Sequence, residues 1–402
     1  MVIPSPAGRA SAAATGEDDS VYGIREPAAE PAPVPSTLPP VVDTPRVPPK
    51  SAPRASRVRR LPERLVVATS QSSRGVFYVL FVVTMVPLAI MLLWQQDDFE
   101  ARLERTLEAH PEIASKMLEE EPDVESVFSL LPGRRIEGAH LPRGSMVHWV
   151  YAIASSVVFL GAACFLFDLG NAKHQEMLWV ALATATFGIV FLLLVQLIAQ
   201  LTSDWVIVGG NIFVVFFYLF KFIGFSYSAA MNPETGFWLS FMGFLFGVGL
   251  CEEFTKALPL VFHYRGKATL GWRGACFWGL ASGIGFGIAE GVMYSSDFYN
   301  GVATGDTYLV RFVSCVALHA VWSASAAIMI WRRRDWFEDE WDWGNMAVAV
   351  FWVLGVPIVL HALYDTLLKK EMNGWALAAA LGSFAWLVFL TEWTRSREAE
   401  LA

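Results

Sequence analysis

Two adjacent carboxylates and an ammonium, Glu252, Glu253 and Lys256, stand inside an apolar run extending from about Gly236 to Phe262. That length suits a membrane-spanning helix of roughly 20 residues. An ionised side chain at the centre of such a helix costs about 2.5–3.5 kcal/mol on insertion scales, so three together need partners. On a helix, Lys256 is four residues from Glu252 and three from Glu253, so one ammonium can pair with either carboxylate. An ion pair that only orients helices explains one glutamate but not two in a row. Three further apolar segments carry acid or imidazole: Glu290 in Phe286-Gly-Ile-Ala-Glu290, His319 in Cys315-Val-Ala-Leu-His319, and His361 with Asp365 at i,i+4 spacing. Singly, each has a plainer reading, as an interhelical hydrogen bond or a self-satisfied pair. Together they place ionisable groups on four consecutive spans, and partnerless acids in hydrocarbon are expensive, so these groups should face a shared interior. Carboxylate and imidazole are the right chemistry for activating water, with or without zinc. A zinc site needs three protein ligands and an open position. Glu290, His319 and His361 could supply them, leaving Glu252 or Glu253 as general base. No HExxH is present.

The elements that must position these groups are membrane helices. The 402-residue chain is 54% hydrophobic and only 17% charged, against about a quarter charged in soluble proteins. The fold class expected is all-α, a polytopic transmembrane bundle of eight or nine spans. Spans are read at about 76–94, 147–167, 177–200, 206–230, 236–262, 274–295, 310–331, 346–368 and 375–393. Residues 1–74 are rich in Pro, Ala and Ser and read as a disordered tail. The stretch 75–235 holds the first spans, with an acidic extramembrane insert at 95–145. Two short amphipathic helices are expected in that insert, around 99–109 and 122–131. The segment 236–395 is the catalytic bundle. Lys221, in an aromatic setting, reads as snorkelling or lining the bundle interior. Four cysteines without a CxxC exclude a disulfide framework or zinc finger. No basic, aromatic-interleaved patch points to nucleic acid.

Gly279, Gly283, Gly287 and Gly291 recur every four residues, a surface that lets another helix backbone approach closely. Glu290 should lie beside that contact. Orientation carries a conflict. Basic residues before the first span put the N-terminus in the cytoplasm by the positive-inside rule. Nine crossings would then leave the C-terminus outside. Yet His263–Arg273, Arg332–Arg334 and the tail with Arg395 and Arg397 all look cytoplasmic by charge. Either an early span fails to cross, or the tail disobeys the rule.

Glu252-Glu253-x-x-Lys256, Phe286-x-x-x-Glu290 followed by Tyr294, His319 and His361-x-x-x-Asp365 resemble, in order and placement, the PrsW family of intramembrane proteases. That family is related to the CAAX prenyl proteases. The resemblance covers about 236–395 and leaves the tail and the 95–145 insert as additions. It implies a multi-pass protease of the cell membrane, usually assigned as a metallopeptidase, that cuts membrane-associated proteins such as anti-sigma factors. By matching positions it implies Glu252, Glu253, His319 and His361 as the catalytic or metal-binding set, with Glu290 and Asp365 as companions. Pro259, three residues beyond Lys256, is a departure expected to kink the helix near the site. Two other readings compete. A proton-coupled transporter or channel would show inverted repeats, and none stands out. A non-catalytic scaffold would keep the glycine stripe but has no need of so many ionisable groups.

Overall fold

The computed structural model describes residues 63–94, 99–120, 124–166, 170–266, 270–338 and 343–401. The expected tail over residues 1–62 lies outside them. The described residues are helical with no strands. Helix α1 (Glu63–Leu93) begins inside the stretch read as tail. Pro62 is the last proline before Pro87, so nothing in the covalent chain prevents a helix from starting there. Among the described residues the insert holds three short α-helices rather than two: α2 (Phe99–Ala109), α3 (Pro111–Glu120) and α4 (Val124–Leu130). Helix α5 (His148–Leu166) returns the chain. Next come α6 (His174–Leu201), α7 (Ile212–Met231), α8 (Phe237–Arg265), α9 (Trp272–Tyr299) and α10 (Gly305–Arg332). A short α11 (Asp335–Glu338) precedes α12 (Trp343–Lys369) and α13 (Asn373–Leu401). Among the described residues seven helices, α6–α10, α12 and α13, are long and apolar enough to cross a membrane. Two shorter apolar stretches lie in α1 (Tyr78–Leu93) and α5 (His148–Cys164). Each of the nine segments expected from hydropathy contains a helix, although the fourth begins at Ile212 rather than near 206.

Helices α9 and α10 form the centre, and the glycine stripe is why. A β-carbon at Gly279 would lie 2.5 Å from the Ser323 carbonyl oxygen, and one at Gly283 would overlap that of His319. At Gly287 it would sit 3.0 Å from the His319 ring. The backbones thus meet across glycine, which brings the α9 and α10 side chains flanking the stripe within reach of each other. Four helices contain π turns: Thr184–Gly188 in α6, Phe244–Gly249 in α8, Ser295–Tyr299 in α9 and Val310–Cys315 in α10. Each accommodates one extra residue and rotates everything beyond it.

Contacts between helix ends sort the chain onto two sides. Gly271 N–H donates to Asn171 Oδ1 (3.0 Å), and Trp272 Nε1–H donates to Glu398 Oε2 (2.8 Å), so residues near 171, 272 and 398 share one side. Lys369 Nζ donates to the Ala229 carbonyl (3.2 Å) and to Thr235 Oγ1 (2.9 Å), which places 229–235 on the other. The insert belongs to that second side. Ile136 N–H donates to Gly301 O (3.0 Å) and His140 N–H to Ala303 O (2.8 Å), stitching it to the α9–α10 loop. Residue 171 and residue 232 are thus on opposite sides, yet α6 and α7 both lie between them. Two helices make a single net traverse only if one of them does not carry the chain across. The 202–211 connection correspondingly folds back on α7: Lys221 Nζ donates to Trp205 O (2.8 Å) and Tyr218 OH to Ile207 O (3.0 Å). Tyr264 OH donates to Leu270 O (3.0 Å) and Arg332 Nη1 to Thr394 Oγ1 (3.5 Å), so residues 263–266 and 270–273, Arg332 and the end of the C-terminal helix share the side of Asn171.

Candidate active site and metal centre

Adjacent positions of a helix point about 100° apart, so Glu252 and Glu253 cannot both face one neighbour. Helix α8 meets this by sitting in the middle of the bundle: Glu253 points to α12 and Glu252 lies between α10 and α12. Its placement is fixed at three points. Gly243 and Gly247 lie flush on the α7 backbone, where a β-carbon would approach within 2.5 Å of Ala230 N and Tyr227 N. Ser282 Oγ of α9 donates to the Lys256 carbonyl (2.6 Å). The π turn at Phe244–Gly249 sets the register just before the glutamates. Pro259 lies inside α8, which continues through it to Arg265.

Lys256, 1% exposed, is the hub. Its Nζ donates to Glu253 Oε1 (2.7 Å) and to His319 Nδ1 (2.9 Å), lies 3.5 Å from Glu252 Oε2, and stands 4.6 Å from the Phe286 ring centroid. Both glutamates therefore share the ammonium, Glu253 more closely. His361 Nδ1 meets Glu253 Oε1 (3.0 Å), while its Nε2 faces Glu252 Oε2 (3.8 Å) and Asp365 Oδ2 (3.4 Å). His319 Nε2 faces Glu290 Oε2 (2.9 Å), and its Nδ1 lies 4.0 Å from Glu252 Oε2. Arg311 Nη2 approaches the same Glu290 oxygen from α10 (2.8 Å). The Trp322 ring stacks on His361, centroids 4.2 Å apart and planes 17° apart, and its own Nε1–H is held by Ser383 Oγ (2.9 Å).

All seven residues singled out from the sequence thus meet in one cluster. The grouping within it differs from the expected ligand set. Glu252, His319 and His361 are the three whose ligand atoms lie within 4.8 Å of one another. Glu290 stands behind His319 instead. Each histidine then turns one nitrogen to the cluster and the other to a carboxylate, His361 to Glu253 and His319 to Glu290. That is the arrangement that orients metal-binding imidazoles. The Lys256 ammonium is the one obstacle, since it already occupies His319 Nδ1. The donor set nevertheless fits a metal ion.

Side-chain exposure rises from 0% at Glu253 and Lys256 through 7% at Glu252 and 13% at Glu290 to 25% at Asp365. Asp365 lies one turn from the end of α12 that carries Lys369, so the cluster is nearest to water on the side of the insert. Glu253 Oε2 is buried and has no hydrogen-bond partner among the described residues.

Sequence reading missed Arg311 and Trp322. Arg311 stands one residue inside a span read from 310, where an arginine passes for an interfacial anchor. Trp322, three residues beyond His319, is indistinguishable from any apolar residue of its helix.

The family model for the PrsW family of intramembrane metalloproteases matches residues 176–392, which begins well before the first of the motifs. No curated protein and no solved structure matches the chain.

Proposed function

Because this chain belongs to the PrsW family of intramembrane metalloproteases, and so is a multi-pass membrane protease, we propose that Glu252, His319 and His361 hold a zinc ion and that Glu253 is the general base. The observation that carries this is the pairing of each cluster-facing imidazole with a carboxylate on its far nitrogen. When bound, the metal ion supplies a Lewis acid for water and for the scissile carbonyl. The residues of the chain do the remainder. Glu253 Oε1 is fixed by Lys256 and His361, which leaves Oε2 to take a proton from the attacking water. Oxygen adds to the carbonyl carbon, and the Lys256 ammonium offsets the negative charge developing there. The C–N bond then breaks as the proton passes from Glu253 to the departing amine, giving a carboxylate and an amine.

The substrate on this reading is a membrane-anchored protein of the anti-sigma-factor kind, cut in the cell membrane near the side that carries the insert. A proton-coupled transporter is disfavoured because the ionisable groups converge on one cluster instead of lining a path. Proteomics of membranes carrying Glu253→Gln against wild type tests the proposal. Membrane proteins that persist uncut only with the variant support it and name the substrate. Identical membrane proteomes, with both proteins inserted at equal levels, would refute it.

A further inference from the structure

The Val310–Cys315 π turn immediately precedes His319 in α10. In a regular helix, positions 311 and 319 are eight residues apart and turn through about 800°, so their side chains would diverge by about 80°. A π turn absorbs one extra residue, so eight behave as seven and the divergence falls to about 20°. Arg311 and His319 consequently share a face, and both reach the same oxygen of Glu290, at 2.8 and 2.9 Å. Arg311 is 11% exposed, and its guanidinium carbon stands 4.7 Å from the Tyr294 ring centroid, one turn beyond Glu290 on α9. An arginine buried this far inside a membrane protein is costly without a task. Its nearest acid is the residue that backs His319.

We propose that Arg311 is a positioning residue for the metal centre. It clamps Glu290 against α10, and Glu290 in turn holds His319 with Nδ1 toward Glu252 and His361. Arg311 touches neither substrate nor metal; it acts through Glu290. The inference rests on the metalloprotease reading, with zinc bound by Glu252, His319 and His361.

The test compares wild type with Arg311→Gln, Arg311→Lys, Glu290→Gln and the Arg311→Gln/Glu290→Gln double variant, each purified full-length in detergent. Zinc affinity is measured by chelator competition, and turnover on a substrate named by the proteomic comparison. Loss of a partner behind a metal ligand weakens binding or activity by about 10–100-fold. Arg311→Gln should do so with KM unchanged, Arg311→Lys should recover part of the loss, and the double variant should bind zinc as Glu290→Gln does. Should Arg311→Gln fold poorly because it strands the Glu290 charge, the double variant removes both charges and keeps the comparison with Glu290→Gln decisive. Zinc affinity weaker in the double variant than in Glu290→Gln would overturn the inference, as would a rise in KM alone, which marks a substrate contact. Wild-type zinc affinity in folded Arg311→Gln would overturn it while leaving the metalloprotease reading intact. No zinc binding by the wild-type protein would overturn both.

Discussion

Lys256→Met is the substitution whose outcome depends most sharply on what the cluster holds. The ammonium is within 3.5 Å of Glu252, Glu253 and His319 and is buried. Removing one partner of a buried ion pair costs about 3–5 kcal/mol, because the remaining charge has no water to turn to. In metal-free protein the variant should lose stability on that scale. The ammonium also stands where a metal ion would have to compete for His319 Nδ1 and Glu252 Oε2. Two unit charges at 4 Å interact by about 4 kcal/mol at an effective dielectric of 20. Even a third of that, recovered when the competing cation is gone, tightens metal binding by about tenfold. Lys256→Met should therefore bind zinc more tightly than wild type and be stabilised more by zinc on heating, while its turnover falls. Chelator competition gives the affinity, and thermal aggregation in detergent with and without zinc gives the stability, linked to it by mass action. Weaker zinc binding by a folded Lys256→Met would show that the ammonium organises the site rather than competing for it.

Glu252→Gln and Glu253→Gln should differ in kind. The first removes a proposed ligand and should lose bound zinc; the second should keep zinc and lose turnover by about 10²–10⁴-fold, the usual contribution of a general base. Metal analysis of both purified variants separates the roles, and wild-type turnover in both would end the protease reading. Gly283→Leu should abolish accumulation of folded protein, since its β-carbon has no room against the His319 carbonyl, an overpacking penalty of at least about 1–3 kcal/mol; normal levels of active protein would mean that α9 and α10 are not packed this way. On the insert, Arg143 and Arg134 beside Glu125 hold its carboxyl below the ordinary carboxylate range, while Arg143 also donates to the Asp297 carbonyl (2.8 Å). A depressed acid stabilises above its unfolded pKa and loses that contribution as pH falls through its folded one. Attachment of the insert, followed by limited proteolysis, should hold at neutral pH and loosen below about pH 4. Equal loosening in Glu125→Gln at neutral and acid pH would confirm the acid's role, and an unchanged pH response in that variant would refute it.

The amino-acid sequence by itself determined the helices and the chemical inventory of the site. Apolar runs of membrane length can satisfy their backbone only as helices or closed barrels, and their length and glycine spacing exclude the second here. Charges in such runs are conspicuous because they are costly, so Glu252, Glu253, Lys256, Glu290, His319, His361 and Asp365 could be named before any of them was placed. The pairing within that inventory was decided only by tertiary structure. Glu252, not Glu290, joins the two histidines because α8 passes between α10 and α12, and crossing positions of helices leave no mark on sequence spacing. Arg311 reaches Glu290 because a π turn rotates it by one residue, and a π turn has no periodic signature. Orientation was likewise undecidable from hydropathy. Helices α6 and α7 are each apolar enough to cross, and only the contacts of Asn171 with Gly271 and of Lys369 with Ala229 show that residues 171 and 232 lie on opposite sides of the bundle. Hydropathy reports what a helix can tolerate, whereas packing against its neighbours fixes where it goes.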